Sequence, residues 1–316
     1  MKVVEALLCC CFALASSLTT SQSFLVISQT RGGSSTPISD YGRPVEVTTI
    51  KDKQVTESSG LVASRLSSGI YWTHNDSGDG PFLYAFDLSG ASRGTWRVRG
   101  AQAVDWEDIA AGPGPQRNSS YLYVGDIGDN NSSRDSIVIY RVREPLVKPT
   151  SKTSTRTNAP WTDHAEAFQF RYPDGKHDAE ALLVQPFTGD LYVITKVLLG
   201  RAVVYKASAP LTENSTRVLQ RIAVLRIPSL LGGVITGGDI SPDGRRVALC
   251  DYFSGYEIVL PLNSRSFDEI WKQPISTIDL GKRTQGESIA YRLDGRALLT
   301  TSEGKQSPVN QVTRRQ

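Results

Sequence analysis

The chain has 316 residues, 39% hydrophobic and 21% charged, with 35 Lys and Arg against 32 Asp and Glu for a net charge of +3. Both signs are mixed along the sequence, which argues against the concentrated basic surface of a nucleic-acid binder. After the first fifteen residues no stretch is long and apolar enough for a membrane helix, so no membrane insertion is expected.

Met1-Lys2 followed by the apolar run Val3 to Ala15 has the form of a secretory signal peptide, with Ala15 and Ser17 as a small-x-small cleavage step. The expected leader is 1–17, with cleavage as late as residue 23. Cys9, Cys10 and Cys11 fall within it, so the mature chain keeps Cys250 alone and has no internal disulfide. Cys250 stands in an apolar strand and reads as a small buried hydrophobe rather than a nucleophile. Residues 18–44 are Ser/Thr/Gly-rich and read as a flexible segment; one domain is expected over 45–316.

That domain opens on Val45-Glu46-Val47-Thr48-Thr49-Ile50, which alternates as a strand does. A strand-turn-strand pattern then recurs five times, each copy opening on a polar or acidic step. The first copy runs from Ser59-Gly60-Leu61-Val62 to Ile70-Tyr71-Trp72-Thr73-His74-Asn75-Asp76. The second runs from Glu107-Asp108-Ile109-Ala110 to Tyr121-Leu122-Tyr123-Val124-Gly125-Asp126. Glu180-Ala181-Leu182-Leu183 leads to Leu191-Tyr192-Val193-Ile194-Thr195-Lys196, and Gly238-Asp239-Ile240 to Val247-Ala248-Leu249-Cys250-Asp251. The last copy joins Glu287-Ser288-Ile289-Ala290 to Leu298-Leu299-Thr300-Thr301-Ser302-Glu303. A repeat of roughly 50–70 residues holding only strands predicts an all-β fold, a single β-propeller.

Third strands follow at Phe82-Leu83-Tyr84-Ala85-Phe86, Ile137-Val138-Ile139-Tyr140-Arg141-Val142, Ala202-Val203-Val204-Tyr205 and Glu257-Ile258-Val259-Leu260. Outer strands are expected at Thr95-Trp96-Arg97-Val98, Phe168-Gln169-Phe170-Arg171, the run Ile222 to Ile227, and Thr277-Ile278-Asp279-Leu280. Pro242-Asp243-Gly244, Leu293-Asp294-Gly295 and Thr188-Gly189-Asp190 supply the turns. Five four-stranded blades result, with the N-terminal strand completing the last blade and closing the ring. After Glu303-Gly304 only Asn310-Gln311-Val312 is left as a third strand. Six blades are the alternative, if the polar, Pro-bearing excursion from Glu144 to Pro160 hides a degenerate unit.

Inner strands line a propeller's channel. Glu107, Glu180 and Glu287 occupy equivalent positions there, with Ser59 and Gly238 in the other two blades, and Asp108 and Asp239 fill the next column. At about 6 Å and an effective dielectric of 20, each ionised glutamate pair would repel by roughly 3 kcal/mol, so protons, Lys or Arg, or a cation must intervene. A ring of hard oxygens suits Ca2+. Two further acidic loops, around Asp76 and around Asp126 and Asp129, have spacings compatible with Ca2+ or with Asx turns. The first has a faint EF-hand start but lacks the closing glutamate, and its flanks read as strand. His177 and His74 are the candidate general bases. No Gly-x-Ser-x-Gly, His-Glu-x-x-His or phosphate loop is present. Of five sequons, Asn118 and Asn214 are the best glycosylation candidates.

The blocks Glu57-Ser58-Ser59-Gly60-Leu61, Trp72 to Asp79, Trp106-Glu107-Asp108-Ile109-Ala110 and Tyr123 to Asn130, with His177-Asp178-Ala179-Glu180-Ala181, Gly238 to Gly244 and Gln285-Gly286-Glu287, resemble a large group of secreted β-propeller proteins abundant in bacteria. The Cys-rich leader and the sequons suggest an animal member. The resemblance implies a propeller, without a reaction. A more distant similarity is to paraoxonase, gluconolactonase and strictosidine-synthase-type propellers, which implies Ca2+ in the channel. Two functions follow as expectations. One is a secreted, non-catalytic, monomeric protein of the extracellular space or matrix, with Ca2+ in its channel and loops that bind a protein, glycan or mineral surface. The alternative is a Ca2+-dependent hydrolase of esters, lactones or phosphoesters.

Overall fold

The computed structural model describes residues 40–148, 153–229 and 232–315. The expected leader, and the flexible segment up to residue 39, lie outside them. Five antiparallel sheets form the blades of a propeller. Blade 1 comprises Ser58–Ala63, Ile70–Asn75, Phe82–Asp87 and Ser92–Arg99, from channel to rim. Blade 2 comprises Trp106–Gly112, Tyr121–Asp126, Ile137–Arg143 and Glu166–Arg171. Blade 3 comprises Ala179–Val184, Leu191–Thr195, Val203–Ala207 and Gln220–Val224. Blade 4 comprises Gly237–Ile240, Arg246–Cys250, Gly255–Val259 and Ile275–Ile278.

Blade 5 takes its inner three strands from the C-terminus, at Gly286–Tyr291, Ala297–Ser302 and Pro308–Thr313. Its rim strand is Val45–Thr49, antiparallel to Pro308–Thr313, with Val45 opposite Gln311 and Thr49 opposite Pro308. The N-terminal strand therefore closes the ring, and the thin last blade reaches four strands. The excursion after Glu144 supplies no sixth blade among the described residues. Instead Trp161–His164 adds in parallel to the rim of blade 1, and Thr216–Val218 does the same on blade 2.

The described hydrophobic side chains gather into five clusters, and each lies between two neighbouring blades. Strand periodicity explains this. Successive side chains leave opposite faces of a strand. In blade 3, Leu182, Val184, Leu191 and Val193 pack toward blade 2, while Ala181, Leu183, Tyr192 and Ile194 pack toward blade 4. A strand covered on both faces needs apolar residues at both parities. That is why the inner strands read as near-continuous apolar runs. Cys250 is fully buried in the cluster between blades 4 and 5, where burial pushes its thiol up to about 11, so it behaves as a small core residue.

A few backbone pairs link neighbouring blades at their ends, such as Glu57 with Glu303, and polar side chains at the inner strands add further ties. The Asp108 carboxylate of blade 2 accepts N–H bonds from Ile109 at 2.8 Å, from Leu182 of blade 3 at 2.9 Å and from Gly238 of blade 4 at 3.3 Å. Asp239 repeats the device from blade 4, accepting from Ile240 and from Tyr291 of blade 5. Ser59 donates to the Glu107 carbonyl, and Thr236 donates to the Gly286 carbonyl.

Candidate metal centre at the channel mouth

Each inner strand begins where its neighbour ends, so one end of the channel is ringed by these starts and ends. Trp106 faces Asp126, Ala179 faces Thr195 and Gly286 faces Ser302. In blades 1, 2, 3 and 5 the ladder slips at this place: between Ser58 and Leu61, Trp106 and Asp108, Ala179 and Ala181, and Gly286 and Ser288. The residues left over are Ser59 with Gly60, Glu107, Glu180 and Glu287. A bulge frees its extra residue from the ladder and re-aims the side chain. Blade 4 pairs without a slip and has Gly238 in place of a carboxylate. The glutamate column seen in the sequence is thus a column of β-bulges.

Folding places the three glutamates in three different settings. Glu107 is 4% exposed, and none of the described donors bonds its carboxylate. One oxygen of it lies within 4.8 Å of an oxygen from each of Asp76 and Asp105, which are equally close to one another. Asp76 comes from the loop after the second strand of blade 1 and Asp105 from the residue before the inner strand of blade 2. Glu180 forms an ion pair with Lys196, the first residue after the second strand of its own blade. Glu287 accepts a hydrogen bond from the Gln285 amide at 2.9 Å and lies near Glu303.

The remaining acids have internal partners. Asp126 pairs with Arg134 at 2.8 Å. Asp129 accepts from the backbone N–H of Ser133 and Arg134, so its loop is an Asx-type turn clasped by an arginine. Asp79 pairs with Arg156 and also accepts from Tyr84 and Asn75. Asp108 and Asp239 have their oxygens on the backbone of neighbouring blades, and they stand outside the Asp76, Asp105 and Glu107 group.

Proton affinities reflect the crowding. Burial, then the charge of Asp76, pushes Asp105 up to about 6. Glu107 is held well above the usual carboxylate range, first by burial and then by Asp76 and Asp105. Burial pushes Glu287 up to about 8. The Lys196 ammonium opposes these shifts at Glu107, Asp178 and Glu287.

Three carboxylates gathered this closely fit one hard cation. Two oxygens on the same Ca2+, each at about 2.3–2.6 Å, stand no more than about 5 Å apart. Gly128 keeps the space open: a Cβ there would come within 2.2 Å of Glu107 Oε1 and 2.5 Å of Asp105 Oδ2. Asp105 was not among the acids that sequence comparison selected. It lies one residue outside the repeated strand, and its only signal is the acidic run Asp105-Trp106-Glu107-Asp108.

Neither histidine is placed as a base for this cluster. His177 turns its ring onto Tyr172 and Tyr205, at centroid distances of 5.0 and 5.5 Å, and bonds Asp174 at 3.1 Å. It is therefore held half-buried between Tyr172, just past the rim strand of blade 2, and Tyr205 of blade 3. His74 is fully buried beside Trp106, where desolvation lowers its proton affinity. Gly60 packs directly on its Nε2 side. Asn118 and Asn214 are exposed, each at φ 60°, which asparagine adopts in turns. Both lie in connections other than those that form the mouth. The Asn75 amide is buried, bonding Gln54, Thr56, Glu57 and Asp79.

No protein-family model matches the chain, and a search of curated proteins finds no match.

Proposed function

We propose that this chain is a secreted, non-catalytic β-propeller of the extracellular space or matrix that binds Ca2+ at its channel mouth. Asp76, Asp105 and Glu107 hold the ion, and the loops around them engage a partner, which is a protein, a glycan or a mineral surface. The observation that carries this reading is Glu107: a carboxylate 4% exposed, with no hydrogen-bond donor among the described residues, and with an oxygen within 4.8 Å of one from each of two further carboxylates. Such a group is stabilised by a proton or by a metal ion, and an oxygen-only donor set favours Ca2+ over softer metals. Three carboxylates leave part of a six- to eightfold shell open, so water or a ligand oxygen completes it. The non-catalytic reading is supported by the two histidines, one held against two tyrosines and Asp174 and one sealed in the core. Glycans on Asn118 and Asn214 would leave the mouth uncovered.

Calorimetric titration of the mature protein with Ca2+ tests the proposal. Saturable binding that disappears in Glu107→Gln is the expected result. A folded wild-type protein that takes up no Ca2+ would refute it.

A further inference from the structure

We infer that the outer edge of blade 1 binds a sulfated polysaccharide, at a surface separate from the mouth and independent of its Ca2+.

The edge carries an exposed indole between arginines. Trp161 is 52% exposed on the strand that adds in parallel to the rim, where it stands opposite Arg97. The Arg97 guanidinium lies 5.0 Å from the centre of the Phe82 ring and 5.2 Å from that of Trp161. The Arg99 guanidinium lies 6.0 Å from the same indole. Both arginines use their backbone N–H groups to hold the added strand, on the Pro160 carbonyl at 2.9 Å and on Thr162 Oγ1 at 3.1 Å. Among the described residues neither guanidinium has a hydrogen-bonding or ion-pair partner, and Asp163 of the added strand pairs with neither. The rings thus position two cations whose N–H forks are left for an anion.

Pro160, the residue before Trp161, lines a cavity of about 310 Å3. Trp96 and Arg93 of the rim strand form one side of it, and Leu146, Lys148 and Asn158 stand on the other. Trp96 is fixed edge to face on Trp72, at 5.0 Å between ring centres. Arg93 is neutralised by Asp87, whereas Lys148 is exposed and has no ion-pair partner among the described residues. The Asn158 side-chain carbonyl accepts from the Thr155 N–H, so its NH2 group is left for a ligand.

A sugar ring has an apolar C–H face and a hydroxyl rim, which suit an indole wall beside an amide donor. The cavity is at the small end of ligand sites, which run from about 300 to 1,000 Å3, and so takes a sugar unit rather than a larger group. Sulfate groups farther along the chain meet Arg97, Arg99 and Lys148, because a guanidinium fork matches a tetrahedral oxyanion. A neutral glycan would leave these cations unused. A nucleic acid is disfavoured by the mixed charge of the chain.

The test is calorimetric titration with a heparin-derived hexasaccharide in EDTA, which removes Ca2+, so that failure of the metal site leaves the result unaffected. The comparison ligands are the desulfated hexasaccharide and a single-stranded oligonucleotide of equal charge. Saturable binding of the sulfated chain is expected, weakened by added salt and by about tenfold in Arg97→Gln/Arg99→Gln. Lys148→Gln and Trp161→Ala should weaken it as well. All four side chains are exposed, and far-UV circular dichroism shows that each variant is folded. No binding by folded wild type, or an unchanged affinity in the folded double arginine variant, would overturn the inference. Equally tight binding of the desulfated chain or of the oligonucleotide would overturn it too, since sulfate recognition would then be absent or a general attraction for polyanions would suffice.

Discussion

Replacing Asp108 by alanine removes one carboxylate that ties three blades together. Its oxygens are the acceptors for the buried N–H groups of Leu182 and Gly238, at 2.9 and 3.3 Å. Each orphaned buried donor costs about 1–3 kcal/mol, or about 2–6 kcal/mol for two. Part of this is returned, because the variant no longer buries a carboxylate that is 1% exposed. The expected net loss is about 2–3 kcal/mol, which for a domain of this size lowers Tm by roughly 3–6 °C. Urea unfolding followed by tryptophan fluorescence measures the loss as a lower midpoint at unchanged slope. The control is Asp135→Ala, whose side chain is 94% exposed and pairs among the described residues only with Lys176; it should leave the unfolding midpoint unchanged. If Asp108→Ala is as stable as Asp135→Ala, the carboxylate is not a structural tie between blades.

Two further outcomes bear on the mouth. Gly128→Ala places a methyl group where the Glu107 and Asp105 oxygens now lie, so Ca2+ affinity should fall at least tenfold while the fold is retained; calorimetry beside far-UV circular dichroism reads both. Asp105 at about 6 and Glu287 at about 8 hold protons in the folded protein that the unfolded chain has already released. The metal-free protein should therefore lose stability as pH rises from about 4 to 8, and the rise in Tm on adding Ca2+ should be larger at pH 8 than at pH 5. A Ca2+ effect on Tm that does not grow with pH, read by differential scanning calorimetry, contradicts the assignment.

The blades were legible because their signals are local. Alternation, apolar runs and Asp-Gly turns depend on neighbours a few residues away, and five copies of one pattern fix the repeat. Closure by Val45–Thr49 was legible as well, since a fifth blade short of one strand leaves an edge that the N-terminal strand fits. The sequence also picked out the positions of Glu107, Glu180 and Glu287, yet as one equivalent column. What it could not carry is that the column is a set of bulges, because a slip in register appears only when two strands are paired.

The tertiary structure alone decided how the acids divide. Asp76 reaches Glu107 from another blade, Asp105 joins from a connecting residue, and Lys196 claims Glu180. Asp108 follows Glu107, and Asp239 follows Gly238 at the same place in blade 4, but both face the backbone of neighbouring blades, because successive residues of a strand point in opposite directions. His177 stands next to Asp178 and close to Glu180 in the chain, yet its ring packs on Tyr172, just past the rim strand of blade 2, and on Tyr205 of blade 3. Charge composition is local, whereas charge pairing depends on distances between blades that meet only when the ring closes.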